Sequence, residues 1–257
     1  MKSLAIRRIV GYTVKNGGVK QMIGIIGAME IEIAGLIKKM TGVHTVSVGK
    51  ITLTTGTLRD VPVVVCLAGI GKVHAAAAAT LLCERFPGVG LLINLGVAGG
   101  VMPGIKQGDF VVASESVQHD FDAAAEGYPK GRVAGYAQTG FTSDSAAVDT
   151  MCAVLAKSGF RYERGVIASG DQFIWDKGKA SSLYTEFGAL ACDMETAAIA
   201  HVCDLFGKKF LGVRSVSDNA DGSAPEAFFA FVEKAAGRSI AAVEAFVGVY
   251  TDSGYAG

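Results

Sequence analysis

From Met22 onward, short apolar runs alternate with longer stretches of helical periodicity, a pattern typical of an α/β protein. The apolar runs predict nine strands: Ile23–Ile26, Thr45–Val48, Ile51–Thr57, Val61–Leu67, Leu91–Leu95, Phe110–Val117, Gly165–Ala168, Ala189–Cys192 and Phe210–Val216. The longer stretches predict six helices: Glu30–Met40, Val73–Phe86, Ser145–Lys157, Lys177–Phe187, Thr196–Phe206 and Pro225–Val247. The crowded early strands predict antiparallel hairpins, and the later alternation predicts βα units. We therefore expect one three-layer α/β domain, with a mixed central sheet flanked by helices.

The first 21 residues differ from the rest of the 257-residue chain. They contain five of the 24 basic residues and none of the 24 acidic ones. They lack the continuous apolar core of a secretory signal, and an upstream start or added leader is favoured over a basic targeting peptide. The expected organisation is a basic leader at 1–21 outside the fold, a domain at 22–250 and a tail at 251–257.

Composition excludes some classes of function. The sequence contains no run of 18 or more apolar residues, so no membrane span is expected. Without residues 1–21 the chain has more acids than bases, which argues against a nucleic-acid partner. The five cysteines are odd in number, form no C-x-x-C pair and lie mostly in apolar runs. Reduced core thiols in a cytoplasmic protein are therefore favoured over disulfides.

Two acidic stretches directly follow apolar runs. Asp193 and Glu195 come after the strand at Ala189–Cys192, and Asp218 comes after the run at Phe210–Val213. Open α/β sheets bind ligands beyond the carboxyl ends of their strands. Because acids are seldom buried without a partner, carboxylates in this position indicate a ligand site.

Two glycine-rich turns also follow predicted strands, at Gly69–Lys72 and Gly96–Gly100. Cys66 and Val73 stand where a Walker phosphate loop needs glycine and Ser or Thr, so that motif is absent. Tight turns and close approach of a ligand to backbone amides are the remaining interpretations.

Six short motifs, taken in order, resemble those of the 5′-methylthioadenosine/S-adenosylhomocysteine nucleosidases, within the purine nucleosidase and phosphorylase superfamily. They are Gly27–Glu32, Gly69–Val73, Gly96–Gly100, Ser169–Ile174, Met194–Glu195 and Ser217–Asp218. The resemblance implies a cytoplasmic homodimer that acts in methionine salvage and nucleoside catabolism. It also implies an N-glycosyl hydrolase that releases adenine and a thioribose and needs no metal or organic cofactor.

The resemblance also implies roles for individual residues. Asp218, oriented by Ser217, would protonate adenine N7, which requires a carboxyl pKa raised by burial and neighbouring acids. Glu32 would take a proton from the attacking water, with Arg214 close to that water. The remaining substrate-binding residues would be Glu195 and Met194 at the ribose, Phe173 and Ile174 at adenine, and Met29, Ile70, Ala98, Gly99 and Phe228 around them. Ala123 and Glu126 would reach the 5′ pocket of the partner subunit.

Three positions depart from the family pattern. Val97 and Asp193 stand where many relatives have serine and glutamate, and Glu126 stands where an aromatic residue is common. Val97 removes a hydroxyl that would help to place the water, and the role of the shorter Asp193 is doubtful. An acid at 126 would suit a polar or cationic 5′ substituent.

Three other functions remain open. A phosphate-dependent nucleoside phosphorylase would typically have arginine and serine where Asn94 and Val97 stand. A nucleosidase for aminodeoxyfutalosine-type nucleosides would share the same catalytic acids. A non-catalytic purine-binding protein would need neither Glu32 nor Asp218. The trio of His119, Asp120 and Asp122 is weak evidence for a metal site, and a hydrogen-bonded turn is favoured there.

Overall fold

The computed structural model describes residues 22–218 and 224–253, and the side chains of residues 22–218 and 231–250. The strands are β1 Met22–Gly27, β2 Thr41–Val48, β3 Ile51–Leu58, β4 Val61–Leu67, β5 Val89–Gly100, β6 Phe110–Gln118, β7 Phe141–Thr142, β8 Tyr162–Ser169, β9 Ala189–Asp193 and β10 Lys209–Asp218. The helices are α1 Glu30–Ile37, α2 Lys72–Arg85, α3 Ser145–Lys157, α4 Lys177–Phe187, α5 Thr196–Leu205 and α6 Ala224–Ser253. A short 3-10 turn covers Ala124–Glu126.

The ten strands of the described residues belong to one mixed sheet, which confirms the predicted mixed sheet, although the sequence does not predict the two-residue β7. Strand β1 lies between β4 and β5 and is parallel to both. The early strands β2, β3 and β4 pair antiparallel, which confirms the predicted hairpins. Strand β5 pairs parallel with β10, and β6 pairs parallel with β8.

Five strands of this sheet close into a ring in the order β5, β10, β6, β8, β9. The closing contact is short and antiparallel, between Gly99 and Gly100 of β5 and Cys192 and Ala191 of β9. Glycine permits the tight bend that a strand needs at such a corner. The ring places the ends of β5, β9 and β10 side by side, and Asp218 pairs in register with Gly99.

Helices cover the sheet on both faces, which confirms the three-layer fold. On one face, Leu36 of α1, Met151 of α3 and Phe246 of α6 belong to a single buried cluster. On the other face, Leu82 of α2 and Ile199 of α5 belong to a second cluster. Each side chain is at most about 1% exposed, and burial of a side chain of this size contributes roughly 1.5–3 kcal/mol.

Several strands and helices differ in their bounds from the predicted ones, and the largest extension of a strand bears on the site. Residues Gly96–Gly100 are not a loop after a strand, because β5 continues to Gly100. Backbone pairing with β10 and β9 extends the strand through residues whose side chains give no strand signal. Helix α6 runs through Ser253, beyond its predicted end at Val247. The predicted leader at 1–21 and residues 254–257 lie outside the described residues.

Candidate active site

A cavity of about 100 Å³ opens where β5, β9 and β10 end, next to the loops that follow β1, β4 and β8. Eleven of the residues predicted from the sequence line it: Met29, Glu32, Ile70, Ala98, Gly99, Phe173, Ile174, Met194, Glu195, Ser217 and Asp218. Val97 and Asp193, the two departures from the family pattern at the site, line it as well, and so do Ala28, Gln172 and Cys192, to which the sequence assigns no role. The strand ends therefore bring together segments that lie up to 190 residues apart, from Ala28 to Asp218.

Glu32 turns back from the first turn of α1 into the cavity wall. Its Oε2 accepts hydrogen bonds from the backbone N–H groups of Ala28, at 2.8 Å, and Met29, at 3.0 Å. Its Oε1 accepts one from Val97 N at 3.1 Å. The residue is only 3% exposed. Burial raises the pKa of Glu32, although the Arg214 charge and the three N–H groups oppose the rise.

Gly96 allows this arrangement, because any side chain there would collide with it. A Cβ atom at Gly96 would lie 2.4 Å from Glu32 Oε1 and 3.0 Å from Arg214 Nη1. Real Cβ atoms do not approach an oxygen so closely. The glycine of β5 is therefore needed for Glu32 and Arg214 to meet beside the strand.

Arg214 lies behind the cavity wall, 1% exposed in the middle of β10. Its Nε donates to Asp193 Oδ2 at 2.7 Å, and its Nη2 contacts the same oxygen at 2.7 Å and also donates to Asn94 Oδ1. Its Nη1 is buried and has no hydrogen-bond partner among the described residues. One donor of the guanidinium therefore remains next to the Glu32 carboxylate, where a water or a substrate oxygen could accept from it.

Asp193 is the counterion of Arg214, a role that the sequence left in doubt. Its Oδ1 accepts from Ser169 Oγ at 2.5 Å, and its Oδ2 from Thr196 Oγ1. Asn94, buried within the apolar β5, joins the network because its Oδ1 accepts from Arg214 Nη2 and lies 3.0 Å from Thr196 Oγ1. The sequence assigns no role to Ser169 or Thr196. Asn94 is a lone amide in an apolar strand, a pattern that indicates a buried polar residue with a structural role.

Glu195 is the second buried acid of this wall, at 7% exposure. Its Oε1 accepts from Gly71 N at 2.9 Å, and its Oε2 lies 3.9 Å from Arg214 Nη2. Burial and the neighbouring Asp193 raise the pKa of Glu195 to about 7, against the opposing charge of Arg214. The glycine turn before α2 thus directs a backbone amide at a carboxylate of the protein itself.

Ser217 and Asp218 end β10 at the cavity. Ser217 Oγ lies 2.8 Å from Asp218 Oδ2, to which it can donate, and 3.2 Å from the carbonyl oxygen of Ala98. Asp218 is 2% exposed. A carboxyl group held by a neighbouring hydroxyl in a nearly dry site is well placed to deliver a proton in a fixed direction.

Phe173 and Ile174 belong to the loop after β8. Phe173 is 46% exposed, whereas Ile174 is 6% exposed and packs into the small cluster beneath the loop. An aromatic ring at the rim of a cavity offers a flat apolar face on which a planar base could stack.

Among the described side chains, three predicted site residues do not line this cavity: Arg214, which lies behind the wall, Ala123 and Glu126. Ala123 precedes the 3-10 turn, and Glu126 lies in that turn and is exposed. The Phe228 side chain lies outside the described part of the chain.

No metal centre accompanies the site in residues 22–218 and 231–250, where no cluster of three His, Cys, Asp or Glu side chains could hold an ion. Asp120 instead pairs with Lys72, and Asp122 accepts from Ala124 N at 2.9 Å, as in the favoured hydrogen-bonded turn. All five cysteines are free, and four of them are buried. In the same part of the chain no helix has both the length and the apolar character that crossing a membrane requires.

Comparison with known proteins matches residues 22–248 to the model of the phosphorylase superfamily. The 5′-methylthioadenosine/S-adenosylhomocysteine nucleosidase of Shewanella oneidensis is 41% identical over 215 residues, which are 83% of this chain and 90% of that protein. The nucleosidase of the same name from Neisseria meningitidis, solved with methylthio-immucillin-A, superposes with a TM-score of 0.86 at 35% identity, over 89% of this chain and 99% of that one. A futalosine hydrolase of Helicobacter pylori superposes with a TM-score of 0.84 at 34% identity, over 89% and 97%.

Proposed function

Because this chain belongs to the 5′-methylthioadenosine/S-adenosylhomocysteine nucleosidase family of the phosphorylase superfamily, we propose that it hydrolyses the N-glycosidic bond of 5′-substituted adenosines. The products are free adenine and a thioribose, as methionine salvage requires. One observation carries this proposal: two buried acids from distant segments, Glu32 and Asp218, line the same cavity.

Asp218 acts on the leaving group. Adenine is a poor leaving group as an anion, so the bond between N9 and the sugar C1′ breaks readily only when N7 is protonated. Asp218 gives its proton to N7 while the bonding electrons move into the purine, and Ser217 Oγ fixes the direction of the carboxyl group. The sugar then carries the positive charge of an oxocarbenium-like transition state.

Glu32 acts on the water. Its raised pKa makes it a stronger base than an exposed glutamate, so it can remove a proton as the water oxygen bonds to C1′. Arg214 Nη1, beside Glu32, donates to the same water and holds its oxygen in place. The apolar side chain of Val97 leaves this task to Arg214 and Glu32.

Glu195 and Met194 hold the ribose, and Phe173 and Ile174 hold the base. The Glu195 carboxylate accepts hydrogen bonds from the ribose hydroxyl groups, and Met194 packs on the sugar face. Phe173 stacks on adenine, and the Ile174 backbone binds its edge. The rest of the wall is formed by Met29, Ile70, Ala98 and Gly99. These residues are apolar, which supports a substrate whose 5′ substituent is apolar next to the sugar, as a thioether is.

The surroundings of Asn94 and Arg214 favour water over phosphate. Phosphate binding needs several donors that converge on one anion. The amide of Asn94 is occupied, because its Nδ2 donates to Ile26 O at 3.0 Å and its Oδ1 accepts from Arg214 Nη2. Arg214 has a single uncommitted nitrogen, which suits one water better than an anion with four oxygens.

A nucleosidase for aminodeoxyfutalosine-type nucleosides is the second candidate. It is supported by the similarity to the futalosine hydrolase of Helicobacter pylori, whose identity to this chain is close to that of the methylthioadenosine enzymes. The exposed Glu126, in place of an aromatic residue, also fits a polar 5′ substituent.

We further propose that residues 22–250 form one nucleosidase domain, which works as a homodimer in the cytoplasm. The match over residues 22–248 supports these domain limits. The apolar side chains of Ile70, Val73, Phe173 and Trp175 are between 46% and 78% exposed, which supports a partner surface around the cavity mouth. In such a dimer Ala123 and Glu126 would enter the partner's 5′ pocket. Free thiols support a reducing compartment.

The test is adenine release by the purified protein from 5′-methylthioadenosine, S-adenosylhomocysteine and aminodeoxyfutalosine, compared as kcat/KM. Release from either of the first two supports the proposal. Release from aminodeoxyfutalosine alone would replace it with the second candidate. If no adenine appeared from any of the three while the protein bound adenine tightly, the chain would be a purine-binding protein.

A further inference from the structure

Three charged residues outside the cavity wall connect two of its loops. Lys72 Nζ contacts Asp120 Oδ1 at 2.6 Å, and Asp120 Oδ2 accepts from Asp171 N at 3.0 Å. Asp171 Oδ1 in turn accepts from Lys72 N at 2.7 Å. These contacts form a closed cycle, which we call the Lys72–Asp120–Asp171 clamp.

The clamp is more than a surface ion pair. The side chains of Lys72 and Asp120 are 19% and 17% exposed, whereas those of Lys130 and Glu186, a nearby pair at 2.9 Å, are 51% and 42% exposed. Solvent therefore screens the clamp less. Burial alone would raise the pKa of Asp120, but the hydrogen bonds from Lys72 and from Asp171 N outweigh it and lower that pKa.

Each of the two connected loops carries part of the cavity. The loop before α2 directs Gly71 N at Glu195 Oε1, and its Ile70 lines the wall. The loop after β8 runs from Asp171 to Phe173 and Ile174, which line the wall as well. The fit between the loops is close, since a Cβ atom at Gly71 would lie 3.0 Å from Asp171 Oδ1.

We propose that Lys72 and Asp120 are positioning residues that hold the loop of Phe173 and Ile174 in register with Glu195. The inference rests on the proposed function, in which one loop binds adenine and Glu195 binds the ribose of the same nucleoside. The spacing between these two groups must match the fixed length of the nucleoside. The backbone hydrogen bond from Gly170 N to Asp193 O fixes where the loop leaves β8, and the clamp holds the part of the loop beyond it.

This role has a kinetic signature. Lys72 and Asp120 do not line the wall with Glu32 and Asp218. Replacement of either residue should therefore leave the chemical step nearly unaffected. The interaction is lost equally from the bound substrate and from the transition state, which raises KM and leaves kcat unchanged. Free adenine contacts only the loop of Phe173 and Ile174. Its affinity should therefore hardly depend on how that loop is placed relative to Glu195.

The experiment compares Lys72→Met and Asp120→Ala with the matched control Lys130→Met, which removes the exposed ion pair between Lys130 and Glu186 and leaves the pair of Lys72 and Asp120 in place. We expect the KM for 5′-methylthioadenosine to rise about tenfold in both clamp variants, because a tenfold change in affinity is what the loss of one charged hydrogen bond usually causes. The kcat should stay within about threefold, and the inhibition constant of free adenine within about twofold. Lys72→Arg should restore most of the affinity, and Lys130→Met should match the wild type.

Other outcomes would contradict the proposed role of the clamp. An unchanged KM with a lowered thermal-unfolding midpoint would make it a purely structural contact, and an equal loss of affinity for adenine and nucleoside would remove the register role. If Asp120→Ala does not fold, Lys72→Met decides alone. A wild type that releases no adenine refutes the proposed function and the clamp together, whereas an active wild type with unaffected variants refutes the clamp alone.

Discussion

At the scale of single residues, burial separates the functional acids from ordinary ones. Glu30 and Glu32 both lie in the first turn of α1, where an acid is favoured by the helix dipole. Glu30 is exposed, whereas Glu32 is 3% exposed and accepts three backbone hydrogen bonds. The sequence alone cannot make this distinction, because it depends on which helix face the rest of the fold covers.

Replacement of Glu32 by Gln should abolish activation of the water. We expect kcat to fall by about 10²- to 10⁴-fold, the usual contribution of a general base, with a small change in KM. Steady-state adenine release measures both constants. Glu30→Gln is the control on the same helix and should keep full activity, and a fully active Glu32→Gln enzyme would return Glu32 to a structural role.

Replacement of Asp218 by Asn should remove the proton donor for adenine N7 and keep the shape of the site. The expected loss in kcat is again about 10²- to 10⁴-fold. Substrate affinity, measured by equilibrium binding, should remain close to that of the wild type. Normal turnover in this variant would rule out Asp218 as the acid.

The network around Arg214 marks the limit of prediction from sequence at this scale. Asp193 and Arg214 are visible as charged residues, and the family resemblance places Arg214 near the water. Thr196 follows Asp193 by three residues, but Asn94 and Ser169 come from two further strands, and only the folded chain shows that they meet Asp193 and Arg214. The position of a buried polar group is set by long-range packing that no local pattern encodes.

At the scale of elements, the pattern of apolar runs predicts most of the fold. Helices α3 and α4 begin and end at the predicted residues, and so does β4. The last third of β5 is the instructive exception, since Gly96–Gly100 has the composition of a loop. Its neighbours β9 and β10 supply the hydrogen bonds that make it a strand, so its conformation is decided by tertiary pairing.

Gly96→Ala tests the close approach inside β5. The added methyl group would collide with Glu32 Oε1 and must displace the carboxylate from Val97 N. We expect a loss of about 1–3 kcal/mol in the free energy of unfolding, as for an overpacked core, together with a lowered kcat. Gly88→Ala, just before the same strand, meets no atom within 4 Å and should leave both quantities nearly unchanged. Wild-type activity in Gly96→Ala would show that the position of Glu32 is not critical.

At the scale of the whole molecule, closure of the strand ring brings the site together. Asp193 and Asp218 are the last residues of β9 and β10, and both strands pair with the glycine end of β5. The sequence predicts a mixed sheet and acids near its strand ends, but ring closure depends on pairing between β5 and β9, whose partner residues are over 90 positions apart. Such contacts are not expressed in local periodicity.

The burial of acidic side chains at the site should make the free energy of unfolding depend on pH. The pKa of Glu195 is about 7 in the folded protein and 4.5 as an unperturbed group, so the folded state binds more protons between these values. The free energy of unfolding should therefore fall as pH rises from about 4.5 to 7 because of this group. In Glu195→Gln this contribution to the pH dependence should vanish. The difference in the free energy of unfolding between pH 5 and pH 8 should therefore change by on the order of 2 kcal/mol. Urea unfolding at both pH values measures it, and an identical difference in the variant and the wild type would contradict the shifted pKa.

The central claim is that water, activated beside Glu32 and Arg214, cleaves the bond to adenine. The most direct measurement is the mass of the sugar released from 5′-methylthioadenosine by the purified protein, with and without added phosphate. The account predicts free methylthioribose in both cases, at a rate that does not depend on phosphate. A methylthioribose phosphate, formed only when phosphate is present, would contradict it and would assign Arg214 Nη1 to an anion.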